Sequence, residues 1–170
     1  MKSRARSMFD HAQVYERAAR LLNASVASDP AMLLPSMVNA ALSLELYFKA
    51  LHILDRGNEF KVNGRHSHDF AALFENLTEQ TKQSLLSKFS TELSVRNNTD
   101  IRALEESMSI VVSKDLKTNL SHWASVFVDL RYAFDFMDKY KGKDKTMMFY
   151  PEIRNAIYNA IISYESTWKP

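Results

Sequence analysis

Residues Met37–Leu54 read MVNAALSLELYFKALHIL, and this stretch decides the fold class. A helix over these positions is apolar on nearly every side, and such a helix is normally enclosed by other helices. The exception is a polar stripe of Glu45, Lys49, His52 and Arg56, which keeps the i, i+4, i+7, i+11 rhythm of one helix face. Glu45 ahead of Lys49 is the favourable order for an ion pair one turn apart, worth about 0.2–0.5 kcal/mol where exposed. Gly57 supplies the stop.

Downstream, Lys114–Tyr140 carries the strongest amphipathic pattern. Leu116, Leu120, Trp123, Phe127, Leu130, Phe134 and Met137 follow one another in alternating steps of four and three, the spacing of a packing seam. That seam is expected to dock on the helix around Leu44. Upstream, a helix is expected over Ser7–Val26, with Val14, Ala18, Leu21 and Leu22 inward. Ser28-Asp29-Pro30 breaks it, Pro30 standing in the first turn of the next helix. After a polar loop over Asn58–Ser67, Asp69 caps a short helix, Phe70–Leu77, that buries Leu73, Phe74 and Leu77. Thr78 caps Glu79–Val95, with Leu85, Leu86, Phe89 and Leu93 inward. Asn97-Asn98-Thr99 is a further break, before a short helix over Asp100–Val112. A loop with Lys139, Lys141, Lys143 and Lys145 precedes Tyr150-Pro151, which opens a last helix carrying Ile153, Ile157, Ile161, Tyr164 and Trp168.

Composition agrees with this pattern. Only 3 Gly and 4 Pro occur in 170 residues, too few for the turns that sandwiches and barrels require. The expectation is a single all-α domain over 1–170, an up-and-down bundle of four to five helices with short added ones. The absence of cysteine excludes disulfide frameworks, thiolate metal sites and cysteine nucleophiles, and fits a reducing compartment. The basic start, with Lys2, Arg4 and Arg6, has no apolar core behind it of the secretory kind. No run reads as the roughly 20 apolar residues of a membrane span, so a cytoplasmic protein without membrane contact is expected. A net charge of +2 is far from the basic excess of a dedicated nucleic-acid binder. The terminal and loop clusters read first as solubilising charge.

Two segments carry a resemblance. Ser43-Leu44-Glu45-Leu46-Tyr47-Phe48-Lys49-Ala50-Leu51 is followed, after a glycine and a polar loop, by His68-Asp69-Phe70-Ala71-Ala72-Leu73-Phe74. Later comes Trp123 to Asp135, ending Leu130-Arg131-Tyr132-Ala133-Phe134-Asp135. This order resembles small bacterial proteins of the HEPN superfamily (higher eukaryotes and prokaryotes nucleotide-binding), over roughly Ala31 to Tyr164. The resemblance implies a four-to-five-helix bundle, often a homodimer. It implies metal-independent ribonucleases of toxin–antitoxin, defence or RNA-processing systems, with nucleotidyltransferase-type antitoxins among the partners. Active members carry an arginine, then a histidine after four to six residues, on a late helix. The histidine moves a proton and the arginine supports phosphate charge.

The chain departs from that signature. Arg131 matches the arginine, but Asp135, Phe136 and Met137 stand where the histidine belongs, and no histidine follows His122. His122 precedes Arg131 by nine residues, on nearly the opposite helix face at about 100° per residue. Arg4 and Arg6 ahead of His11 meet the spacing, but at the wrong end of the chain.

The candidate ligand-binding residues are therefore Arg131, Asp135, Glu45, Lys49, His52, His68, Asp69 and Tyr132. Each has a plainer reading beside the functional one. Arg131 and Asp135 form an i, i+4 pair that either fixes the bundle, extended to Glu45, or contacts a phosphate. Asp69 is a helix cap, or the orienting partner of His68. Trp123, Phe127, Tyr132, Phe134 and Phe136 fill the core or stack bases, with Tyr132 and Phe136 off the main stripe and available to a dimer interface. His52, His66 and His68 lack the spacing of a metal motif, and neither metal nor cofactor is expected. Three functions remain: a non-catalytic binding module for RNA, a nucleotide or a protein partner; a metal-independent endoribonuclease with a composite dimer site around Arg131, Glu45, Lys49 and His52 or His68; and a structural accessory subunit.

Overall fold

The computed structural model describes residues 1–62, 65–96, 98–108, 111–129 and 149–165. Helix α1 (Lys2–Ser25) lies along α2 (Leu33–Arg56), the most extensive pairing among the described elements. The buried stripe of α1 is Ala5, Phe9, Ala12, Glu16 and Ala19, again in steps of four and three. Three of the five are alanines, small side chains of the kind that let two helices pack closely, and Phe9 packs against Tyr47 and Tyr158. Val14 and Leu21, expected inward, are 50% and 72% exposed. The bulkiest apolar residues gave the wrong face, because close helix contact selects small side chains rather than large ones.

Asp29 accepts a hydrogen bond from the Ala31 N–H at 3.1 Å and caps a 3-10 turn, Pro30–Met32. That turn leads directly into α2, which ends at Gly57 with φ of 74°, the left-handed cap that glycine adopts without steric cost. Leu44, Tyr47, Phe48 and Leu51 are fully buried on α2, each contributing about 1.5–3 kcal/mol by leaving water. Against the expectation that no run suffices, the stretch Pro30–Arg56 is long and apolar enough to cross a membrane by length and composition. Of that helix's most apolar window, 44% is buried within the bundle.

The loop after Gly57 is not wholly irregular. Lys61–Val62 and Arg65–His66 pair as a minimal antiparallel ladder. Helix α3 (Phe70–Glu75) and α4 (Glu79–Val95) start at the expected caps: Asp69 accepts from the Ala72 N–H at 3.0 Å, and Thr78 from the Thr81 N–H at 3.4 Å. Leu85 and Phe89 face inward, whereas Leu86 is 37% exposed. Helix α5 (Thr99–Met108) begins inside the expected Asn-Asn-Thr break. Helix α6 (Leu116–Asp129) buries Leu116, Leu120 and Trp123 against α2 and α3, as its seam requires. The rest of that seam, from Leu130 on, and the lysine-rich loop lie outside the described residues. Helix α7 (Tyr150–Tyr164) packs on α4 and α2 through Ile153, Ile157 and Ile161, while Tyr164 stands at the surface. The fold is an all-α bundle.

Candidate anion-binding cleft

Three of the eight candidate residues come together. Glu45, only 5% exposed, accepts from Lys49 Nζ at 2.5 Å through Oε1 and from His68 Nδ1 at 2.8 Å through Oε2. The carboxylate that orients His68, in the loop before α3, is thus Glu45 of α2; the adjacent Asp69 is occupied as a cap. His52 belongs to a different environment. It is 1% exposed, and its Nδ1 donates to the Asn58 carbonyl at 3.0 Å while Nε2 meets the Asn76 amide at 2.9 Å. A carbonyl only accepts, so Nδ1 carries a proton, and the ring pins the loop after α2 to the end of α3. Glu45, Lys49 and His68 thus come together, while His52 is a core histidine with other partners. Arg131, Tyr132 and Asp135 lie outside the described residues.

The N-terminal basic residues have carboxylate partners: Lys2 with Glu165 at 2.7 Å, Arg4 with Glu59, and Arg6 with Asp10 at 3.0 Å. His11 Nδ1 donates to the Ser7 carbonyl at 2.7 Å. These are surface pairs, and such pairs contribute little individually.

A concave region of mixed charge lies elsewhere among the described residues. A cleft of about 530 Å³ opens between α1, the start of α2, the end of α4, α6 and the start of α7. Arg20, Arg96 and Arg154 reach it, beside Trp123, Phe149 and Tyr150. It adjoins a more polar trough of about 390 Å³ lined by Gln13, Arg17 and Tyr158, the two cavities sharing Glu16, Arg20 and Arg154. Pockets of roughly 300–1,000 Å³ hold small organic ligands.

Glu16 organises this region. Its Oε2 accepts from Tyr47 Oη at 2.7 Å, and its Oε1 lies 3.1 Å from Arg154 Nη2 and 3.8 Å from Arg20 Nε. Burial, reinforced by the Glu16 carboxylate, pushes the Tyr47 phenol far up, so it remains a donor at any physiological pH. Tyr150 is also held protonated, burial pushing it up to about 12. Ser43 spends its hydroxyl proton on the Ala40 carbonyl at 2.9 Å, so Tyr150 donates to Ser43 across 2.7 Å. Arg96 pairs with Glu152, and its guanidinium sits 5.5 Å over the Phe149 ring, a favourable cation–π arrangement. Phe149 holds φ of 61°, a strained conformation for a residue with a side chain. Its ring is 98% buried and meets Phe89 edge-on at 6.2 Å, which offsets that cost. Three buried polar atoms here, Nε of Arg96, Nε of Arg154 and Oε2 of Glu152, meet no partner among the described residues.

Sequence reasoning missed this cleft because its cations come from three helices far apart in the chain. One signal was available: Glu16 falls at core spacing between Ala12 and Ala19, and a carboxylate on a buried stripe implies a cation against it. No protein-family model, no curated protein and no solved structure matches this chain.

Proposed function

We propose that this chain is a HEPN-like helical binding module that engages RNA, or a nucleotide, through phosphate contacts along the trough between α1 and α7, and that it lacks the usual arginine–histidine nuclease pair. The observation that carries this reading is the lining of that trough by Arg17, Arg20 and Arg154 against one carboxylate among the described residues, Glu16. Guanidinium groups match phosphate oxygens two at a time and stay charged at every relevant pH. Tyr158 lines the same trough, its ring packed against Phe9 and Tyr47. The resemblance extends the proposal to a homodimer and to a nucleotidyltransferase-type antitoxin as partner. Retention of a single-stranded RNA oligomer, released by salt and recovered uncleaved, is the expected result. Indifference to polyanions would leave only a structural subunit.

A second reading has one observation in its favour. The contact of His68 Nδ1 with the buried Glu45 carboxylate keeps the lone pair of a neutral ring on Nε2, the arrangement of a general base and its orienting acid. It supports the metal-independent endoribonuclease, with Lys49 beside it and Arg131 as the phosphate contact. RNA cleavage that disappears in both His68→Ala and Arg131→Ala, with helical content intact, would establish it over the binding module.

A further inference from the structure

Glu16 competes for the same guanidiniums that a phosphate in the trough would use. It sits almost wholly buried on the inner stripe of α1. Its Oε1 draws Arg154 Nη2 to 3.1 Å and Arg20 Nε to 3.8 Å, and both arginines line the trough. The longer gap exceeds a hydrogen bond, so Arg20, whose side chain is largely exposed, is attracted rather than clamped. The other oxygen, Oε2, is taken by the Tyr47 phenol at 2.7 Å. Tyr47 is fully buried on α2 and stays protonated, a permanent donor. The carboxylate is thereby held in place, with one oxygen turned to the arginines and the other drawn into the core.

Electrostatics then fixes the sign of its effect. An anion that docks on Arg20 and Arg154 comes close to a like charge, and salt screens a buried charge much less than an exposed one. We infer that Glu16 is the affinity-setting residue of the trough: a seated internal competitor that keeps phosphate binding weak and reversible, with Tyr47 limiting how far it competes. The inference rests on the reading of the trough as a phosphate site and names what tunes that site. A carboxylate kept only to fasten helices would act in the opposite direction, since loosening Arg154 can only weaken a ligand's hold.

Tripolyphosphate and a single-stranded RNA oligomer are the probes, titrated onto the full chain by calorimetry. Glu16→Gln keeps the shape of the side chain and an oxygen for Tyr47 but removes the charge. It is expected to bind both probes at least about fivefold more tightly than the wild type, roughly what one like charge a few ångströms away costs an anion in bulk water. The same variant should have a lower Tm, because a buried ion pair is lost; a weaker bundle with a tighter site is a result that a purely structural Glu16 does not give. Tyr47→Phe keeps the ring that packs on Phe9 and Tyr158, and Tyr47 is not among the residues lining the trough. It releases Oε2 to the arginines and is expected to weaken both probes about threefold, toward the low end of what one net hydrogen bond is worth; this variant carries the test should Glu16→Gln not fold. Unchanged or weaker binding in a folded Glu16→Gln overturns the inference, as does unchanged binding in Tyr47→Phe. The two probes separate it from the reading beneath it. Tripolyphosphate tightened by Glu16→Gln with no RNA retained removes the RNA proposal alone. RNA retained by the wild type, lost in an Arg17→Gln, Arg20→Gln double variant and indifferent to Glu16→Gln removes this inference alone. Neither anion bound by the wild type or by Glu16→Gln removes both.

Discussion

Replacing Asp55 with alanine should loosen three helices at once. Its carboxylate accepts from the Thr78 N–H at 2.7 Å, the Thr78 hydroxyl at 2.7 Å, the Thr81 hydroxyl at 2.5 Å and the Tyr164 phenol at 2.6 Å. It thereby ties the end of α2 to the start of α4 and the end of α7. A hydrogen bond to a charged acceptor is worth about 1.5–3 kcal/mol when buried. Asp55 is half-buried, and the orphaned hydroxyls regain water, so the sum is heavily discounted. We expect Asp55→Ala to cost about 2–3 kcal/mol, or roughly 4–12 °C in Tm for a chain of this size. Tyr164→Phe, which removes one donor, should cost about 1 kcal/mol. Because both changes break the same contact, the double variant should lose less than the sum, by at least about 0.5 kcal/mol. The pH dependence has a defined sign. Burial alone would push the Asp55 carboxyl up, but the bonds from Thr81, Tyr164 and Thr78 outweigh it and hold it below its ordinary value. A depressed carboxyl contributes stability above its unfolded pKa and loses it as pH falls through the folded one. Urea denaturation followed at 222 nm should therefore show the wild-type advantage over Asp55→Ala at neutral pH, shrinking toward strongly acid pH. Strict additivity of the two substitutions, or an advantage that grows on acidification, would refute the reasoning.

Other parts of the bundle give sharper local tests. Tyr47→Phe deletes the phenol that donates to buried Glu16 and should cost about 1.5–3 kcal/mol in urea denaturation; a neutral outcome means Glu16 draws its support from the arginines alone. Ala12→Leu inserts a large side chain at a fully buried contact on α1 and should destabilise by about 1–3 kcal/mol, whereas Val14→Ala, on the exposed side, should change Tm little. Phe149→Ala should cost about 3–5 kcal/mol through lost core volume. Phe149→Gly should cost less than Phe149→Ala by up to about 1–2 kcal/mol, because glycine relieves the left-handed φ; the reverse order would show that the conformation carries no strain.

The helices that the chain announces are those whose large residues also do the packing. The α2 core, the start of the Leu116–Leu120–Trp123 seam and the Ile153–Ile157–Ile161 stripe all read directly, since burial there follows side-chain bulk. The caps at Asp69 and Thr78 read as well, because a cap is a local event decided within a few residues; the cap at Asp29 came only with the structure. Helix α1 misled for the opposite reason: its buried face is alanine, and hydrophobic bulk pointed to Val14 and Leu21 on the far side. Of the polar candidates, Glu45 and Lys49 were visible as an i, i+4 pair, but the joining of His68 to Glu45 depends on how the loop after Gly57 returns across α2. His52 shared their face on paper, yet its position further along the helix gives it to Asn58 and Asn76. The arginine cleft was out of reach because Arg20, Arg96 and Arg154 meet only once α1, α4 and α7 are assembled.

The most direct test of the binding proposal is the salt dependence of single-stranded RNA affinity, compared between the wild type and an Arg17→Gln, Arg20→Gln double variant. Each phosphate neutralised on a single strand contributes about −0.7 to the slope of log K against log salt. Three arginines in the trough predict a slope near −2, falling to about −0.7 in the double variant. A wild-type slope that the two substitutions leave unchanged would place the RNA, if it binds at all, on some other surface.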